Sequence, residues 1–364
     1  MRRASCIATS IVSDLARLLD DPASLTAIDP HRASDALAGF PAQCRAAVGI
    51  EPRGLPMVKR PRVIVIAGMG GSAAAGDVVA SCASSHLEIP VVVHRGYGLP
   101  SIAQDDALVV AVSYSGDTAE VLSAAETAIA RRLALIVITS GGALSALAGE
   151  QGAGLVQVPA GLMPRMALGY LFFPMARVLR MLDLEVVTRE EVAEAMGELD
   201  TLGRELVPSR ASAENEAKRV ALAIDRRWPA VYGGPLTGPV AYRWKTDFEE
   251  NAKSFALAGA LPEMNHNTIE AWRAPLAGQL QLILLRDRQE VPAIRRRFEL
   301  LEEMVTHVAG GITTCWTRGT SPLARLLTLS YLGQWVSYYL AILRRVDPWS
   351  VPQLDEVKRR LVGD

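Results

Sequence analysis

Val112-Ser113-Tyr114-Ser115-Gly116-Asp117-Thr118 follows an apolar run, Ala107 to Val112, long enough for one buried strand, and opens into the helix-forming Ala119-Glu120-Val121-Leu122. A strand that ends in a hydroxyl-rich turn and feeds a helix sets Ser113, Ser115 and Thr118 side by side at a helix N-terminus. Free backbone N–H groups and the helix dipole favour an anion there. Three hydroxyls without a lysine suit a monophosphate held as a substrate handle better than a nucleoside triphosphate with its magnesium. The competing reading is a capping box, with Thr118 or Asp117 as the N-cap and no ligand.

The same pattern recurs on both sides of this stretch. Upstream, Arg62 to Ala67 runs into Gly68-Met69-Gly70-Gly71-Ser72 and an alanine-rich helix to about Ala83, followed by a second apolar run, Ile89 to Val93. Downstream, Leu133 to Ile138 ends in Thr139-Ser140-Gly141-Gly142, and Gly154 to Val158 follows. Five such runs alternating with helical stretches predict an α/β fold, a parallel sheet covered by helices on both faces with ligands at the C-terminal strand ends. The turns after Ala67, Val112 and Ile138 then share one rim. Gly68-x-Gly70-x-x-Ala73 also fits a dinucleotide fingerprint, so a nicotinamide-dependent oxidoreductase is an alternative. That fold wants an acid near the end of the second strand, where this chain reads His94-Arg95, and it leaves the hydroxyl cluster unexplained. No Gly-Lys-Ser/Thr is present, which excludes a P-loop.

Before the first strand, Ile11, Leu15, Leu18 and Leu19 have the spacing of one helix face, and Ser34 to Val48 is a weaker helical stretch broken by Gly39 and Pro41. After Pro164-Arg165, helical regions Met166 to Leu182 and Thr188 to Leu206 lead away, with a boundary between Asp183 and Thr188. A second alternation follows: helix 212–226, strand 230–232 with Gly233-Gly234, helix 240–252, strand 280–285, helix 291–307 and strand 312–316. Both halves thus hold a strand closing in a double glycine before a helix, as an internal duplication would. The domains expected are a lead-in over 1–60, α/β units over 61–185 and 186–346, and a tail helix over 347–364.

Half of the 364 residues are apolar, enough for a large core. Lys plus Arg (38) nearly cancel Asp plus Glu (39), so no net charge draws the chain to nucleic acid or an anionic membrane. Cys6, Cys44, Cys82 and Cys315 lie far apart without a C-x-x-C pair, which argues against a zinc site and fits the cytoplasm. Met1-Arg2-Arg3 is basic, but Ser5, Thr9, Ser10 and Asp14 break up any signal-peptide core. Leu326 to Leu343 is uncharged and long enough to span a membrane. Its serines, tyrosines and Gln334 predict a buried helix instead.

Taken together, Gly68-Met69-Gly70-Gly71-Ser72, Ser113 to Thr118, Pro164-Arg165, Asn251-Ala252-Lys253 and Asn265-His266-Asn267 resemble the sugar isomerase (SIS) fold. More closely, from about residue 60 onward, they resemble the bifunctional phosphoglucose/phosphomannose isomerase family. The resemblance implies two SIS-like, doubly wound parallel-sheet subdomains with flanking helices. It implies a phosphate site of Gly70, Gly71, Ser72, Ser113, Ser115 and Thr118, and a homodimer with active sites at the subunit interface. The activity implied is interconversion of glucose 6-phosphate, and mannose 6-phosphate, with fructose 6-phosphate through a cis-enediol, with no metal and no redox cofactor. A sugar-phosphate-binding regulator without catalysis is the alternative of another class.

The proton chemistry implied falls to four residues. Glu249 and Glu250 are adjacent on a predicted helix and point about 100° apart, so one of them faces a given pocket. By resemblance that one is Glu250, the base between C1 and C2; on its own it reads more readily as a solvated helix glutamate. His266, in a polar turn, matches the family's ring-opening histidine delivered from the neighbouring subunit, and histidine suits proton transfer near pH 7. Arg165 matches the guanidinium that steadies an enediolate oxygen, and Lys358 the lysine near the C-terminus that reaches the site. Two positions depart from the family pattern: Asp117 stands where asparagine is common, and Pro348-Trp349-Ser350-Val351 replaces a stretch whose threonine is associated with room for both C2 epimers.

Overall fold

The structure, a computed structural model, describes residues 14–58 and 60–362. Ile11 of the predicted first helix face, the basic N-terminus and Cys6 lie outside the described residues. The chain packs as two compact units. One comprises Gly39–Gly197 with Ser321–Ala324; the other takes the chain up to Ala38, Glu198–Thr320 and everything from Arg325 onward.

In the first unit, β1 (Val63–Gly68), β2 (Val91–His94), β3 (Ala107–Val112), β4 (Ala134–Thr139) and β5 (Gly154–Gln157) form a parallel sheet in the order β2-β1-β3-β4-β5. β1 and β3 are buried along their whole length, which is why they read as continuous apolar runs rather than alternating ones. Val63 and Val65 face Val109, Ala111 and the small residues of helices Ala119–Ala130 and Gly142–Gln151. On the other side Ile66 meets Gly76 of helix Gly70–Ala83 so closely that a Cβ there would lie 2.9 Å from the Ile66 side chain.

The second unit repeats the architecture. β6 (Trp228–Gly233), β7 (Leu257–Ala260), β8 (Leu280–Arg286) and β9 (Gly311–Trp316) form a parallel sheet in the order β7-β6-β8-β9. β7 escapes a reading by sequence because Leu257-Ala258-Gly259-Ala260 has no β-branched residue. It is a strand because it pairs with β6, and Gly259 lets the Tyr232 ring approach. In each sheet the strand order reverses beside the first strand, so the ligand-binding crevice of this architecture falls at β1/β3 and at β6/β8.

Pro41 does interrupt the lead-in, but by starting a helix: Phe40–Val48 carries it in the first turn, where its missing N–H costs nothing. The membrane-length apolar stretch is helix Pro322–Leu343, the one helix among the described residues that meets that length and hydropathy, and it is almost wholly buried. Trp335 stacks on Tyr339 and meets Tyr338 edge-on. Helix Gly238–Asn251 is seated on it. The Trp244 indole lies against Gly333, where a Cβ would come within 2.1 Å, and donates from Nε1 to the Leu329 carbonyl at 2.8 Å. At its last residue, Asn251 Nδ2 donates to Ser337 Oγ at 2.8 Å. These contacts fix the rotation of the helix that carries Glu250.

Candidate active site

In the first unit the three glycine- and serine-rich turns meet at the β1/β3 crevice. Ser72 Oγ accepts the Tyr114 backbone N–H at 3.2 Å, and the Ser140 N–H and Oγ both donate to the Tyr114 carbonyl. Ser113 Oγ lies 2.8 Å from Thr118 Oγ1 and accepts the Gly116 N–H at 3.1 Å. Ser72 and Ser113 are buried, while Ser115 is exposed. Gly116 takes φ +83°, and a Cβ there would fall 1.8 Å from the Gly141 carbonyl oxygen, so only glycine lets the turns close on one another.

The geometry separates the two readings of this turn. Thr118 occupies the N-cap position of helix Ala119–Ala130, yet its side chain caps nothing. Asp117 turns away: its Oδ1 accepts the Ala143 N–H at 2.9 Å, at the start of the neighbouring helix. The carboxylate that departs from the family pattern is therefore spent on another helix end, which favours a negative group there. The first turn of helix Ala119–Ala130 keeps its backbone donors without a side-chain cap, beside two hydroxyls.

Arg165 joins this cluster from a different part of the chain. The segment Pro164–Met166 is a single 3-10 turn, and Arg165 is 3% exposed. Gly71 packs against its backbone; a Cβ would lie 2.7 Å from the Pro164 carbonyl oxygen and 2.9 Å from Arg165 N. Tyr114 anchors the approach, donating from its OH to the Pro159 carbonyl at 2.8 Å and accepting the Leu162 N–H at 3.1 Å. Burial pushes the Tyr114 phenol above its ordinary pKa, with the Leu162 hydrogen bond opposing, so it stays a neutral donor. Nothing in the sequence marked Tyr114 as more than a spacer. Gly71→Ala therefore costs about 1–3 kcal/mol of stability and displaces Arg165, read out as a lowered melting temperature together with reduced activity.

The second unit has a cleft of about 560 Å³ within the range of small-molecule sites. Thr246, Glu249, Glu250 and Lys253 line one wall, and Val351 to Leu354 the other. The expectation that adjacent glutamates cannot share a pocket is corrected here, because the cleft is wide enough for both. Lys245 Nζ holds Glu249 in an ion pair at 2.7 Å. Val351, from the stretch that replaces the family's threonine, lines the same cleft.

His266 and Lys358 are not among the residues lining it. His266 ends the short 3-10 helix Glu263–His266 and is exposed, and its imidazole makes no hydrogen bond or ion pair among the described residues. Lys358 is exposed on helix Pro352–Val362, whose first turn borders the cleft.

The duplicated crevice at β6/β8 has a different character. Thr237, which follows the second double glycine, is fully buried; its Oγ1 accepts the Gly234 N–H and donates to the Leu285 carbonyl. At the end of β8 the Arg286 guanidinium holds the Glu290 carboxylate and lies over the Phe298 and Trp316 rings, and Arg325 pairs with Asp287 at 2.6 Å. The place that carries hydroxyl turns in the first unit is filled by buried ion pairs in the second. The dinucleotide alternative finds no acid at the end of β2, where Arg95 pairs with Asp77.

The family model for the bacterial phospho-glucose isomerase C-terminal SIS domain matches residues 213–361, and the SIS domain model matches residues 57–151. A bifunctional phosphoglucose/phosphomannose isomerase of Caldicellulosiruptor bescii is 35% identical over 301 residues, 82% of this chain and 89% of its own length. A D-glucosamine-6-phosphate 4-epimerase of Sulfolobus acidocaldarius is 31% identical over 64% of this chain and 71% of its own. The crystal structure of a glucose-6-phosphate isomerase like protein from Thermus thermophilus superposes with a TM-score of 0.59 at 21% identity, covering 93% of this chain and 98% of that one.

Proposed function

Because this chain belongs to the bifunctional phosphoglucose/phosphomannose isomerase family, we propose that it interconverts glucose 6-phosphate and mannose 6-phosphate with fructose 6-phosphate. It is an isomerase. The observation that carries the assignment of roles is Glu250 on the wall of an open cleft in a chain of that family.

The reaction is an internal redox exchange. Glu250 takes the proton from C2 of the open-chain aldose, and the C–H electron pair becomes the C1=C2 bond of a cis-enediol as the C1 oxygen gains a proton. Loss of the proton on the C2 oxygen forms the ketone, and the base returns a proton to C1. C1 is reduced and C2 oxidised, so the atoms balance without an external oxidant. The buried guanidinium of Arg165 steadies charge that develops on the enediolate oxygen. His266 opens the sugar ring; its exposure, and its place outside the Glu250 cleft of its own chain, support delivery to a second copy in a homodimer. Lys358 takes the family's C-terminal lysine role. Buried Cys44, Cys82 and Cys315, which form no disulfide among the described residues, support a reducing compartment, the cytoplasm.

Gly70, Gly71, Ser72, Ser113, Ser115 and Thr118 hold the phosphate. Backbone donors without a side-chain cap beside the Ser113/Thr118 pair support this assignment, and the ion-paired β6/β8 crevice offers no equivalent. Each hydrogen bond to a charged group is worth about 1.5–3 kcal/mol, so Ser113→Ala or Thr118→Val alone raises KM for glucose 6-phosphate by about 10–100-fold, with kcat changed far less. A pure loss of kcat with KM unmoved would assign these hydroxyls elsewhere. The assay includes D-glucosamine 6-phosphate, whose epimerisation at C4 in place of aldose–ketose exchange would overturn the isomerase assignment.

A further inference from the structure

Lys253 stands two residues beyond the end of helix Gly238–Asn251, with its backbone in the left-handed region at φ +50°. Glycine is the usual occupant of such a helix terminus. Here the strained backbone folds a long cationic side chain back over the helix end. Lys253 Nζ donates to the Glu250 carbonyl at 2.9 Å, to the Asn251 carbonyl at 3.3 Å and to the Asp347 carbonyl at 2.6 Å. The first two belong to the last turn of the helix, whose carbonyls lack helical N–H partners and attract a cation. The third belongs to the tail turn that leads into Val351 to Leu354, the opposite wall of the cleft.

That tail turn is held from its other side as well. The Asp347 carboxylate lies 3.1 Å from His31 Nδ1 and accepts the Trp349 N–H at 2.8 Å, and the His31 and Trp349 rings stack. Asp347 is thus tied by its side chain to the lead-in helices and by its main chain to Lys253.

We infer that Lys253 is a positioning residue: it bolts the main chain of Glu250 to the tail turn at Asp347 and so fixes the width of the cleft between the base and the wall formed by Val351 to Leu354. The inference rests on the reading of Glu250 as the base. Misplacement of a reacting group by about 1 Å can cost as much as a hundredfold in rate. A bolt of this kind therefore acts on kcat, while phosphate binding by the hydroxyl turns sustains KM.

Lys253→Gly removes the cation yet suits the left-handed backbone, which separates positioning from folding. Expected is a melting temperature no lower than that of the parent, with kcat for glucose 6-phosphate reduced about tenfold or more and KM within about threefold. Lys253→Arg, whose guanidinium also reaches the carbonyls, recovers most of the loss. A Lys253→Gly enzyme with kcat within about twofold of the parent, or one with raised KM and unchanged kcat, overturns the inference; the second result makes Lys253 a ligand contact. Glu250→Gln is measured in parallel. If it keeps parental turnover, the base assignment falls and this inference with it; if it is inactive while Lys253→Gly is fully active, only the positioning role falls.

Discussion

Glu250→Gln lowers turnover of glucose 6-phosphate by about 10²–10⁴-fold, the range expected for loss of a general base, and leaves KM within about threefold. The amide keeps the shape of the side chain and its place on the cleft wall but cannot take a proton from C2. The contacts of Trp244 on Gly333 and of Asn251 on Ser337, which hold the helix, are untouched. Glu249→Gln is the matched control. Glu249 lines the same cleft and is ion-paired with Lys245, but it is not the proposed base, so its removal costs far less. Equal losses at the two positions would make the effect one of cleft charge; a loss confined to Glu249 would exchange the roles. The comparison needs only steady-state kinetics on two single variants.

The second large effect concerns stability. Asp20→Ala destabilises the protein by about 3 kcal/mol, because it strands a charge. The Lys218 side chain is 0% exposed; its ammonium donates to Asp20 Oδ1 at 2.9 Å and to the Pro208 and Arg210 carbonyls at 2.9 and 2.8 Å. Asp20 also receives the N–H and Oγ of Ser212. Asp20 itself is 36% exposed, which places the cost at the low end of the range for buried pairs. Lys218→Met is milder, since an apolar chain replaces the buried ammonium and the carboxylate left behind still reaches water. Denaturant titration should rank Asp20→Ala below Lys218→Met, and the reverse order would contradict the account.

The same pair sets a pH dependence. Burial pushes the Asp20 carboxyl up, but hydrogen bonds from Lys218 and Ser212 outweigh it and hold the group below its ordinary value. A carboxyl depressed on folding contributes stability above its unfolded pKa and loses it as the pH falls through the folded one, so this part of the stability fades below about pH 4. Lys218 is shifted the other way from what pairing alone would do, since burial lowers it more than Asp20 raises it. Its contribution therefore becomes more favourable as the pH rises toward the ordinary lysine range.

Much of the fold is legible in the chain because buried parallel strands leave continuous apolar runs. Ala107 to Val112 is a strand with those bounds, and the other predicted strands of the first unit fall within two residues of the observed ones. β7 was hidden because its sequence is small and unbranched, and pairing with β6 supplies what propensity does not. The membrane-length helix was ambiguous by length alone and is settled by burial. The hydroxyl turn was readable as a motif, but not the fate of Asp117, whose partner Ala143 is 26 positions away. Tyr114 and Lys253 stood within motifs but without a legible role, and His31 carried no signal: each acts through backbone groups or a carboxylate distant in sequence, and such pairings are properties of the folded chain.

Aldose–ketose isomerisation at both C2 epimers is tested by turnover of glucose 6-phosphate and mannose 6-phosphate by the purified protein, measured side by side. Fructose 6-phosphate is expected from both substrates, with both activities falling together in Glu250→Gln. Absence of fructose 6-phosphate from either sugar, with sugar phosphate still bound, would contradict it and leave a binding protein in place of an isomerase.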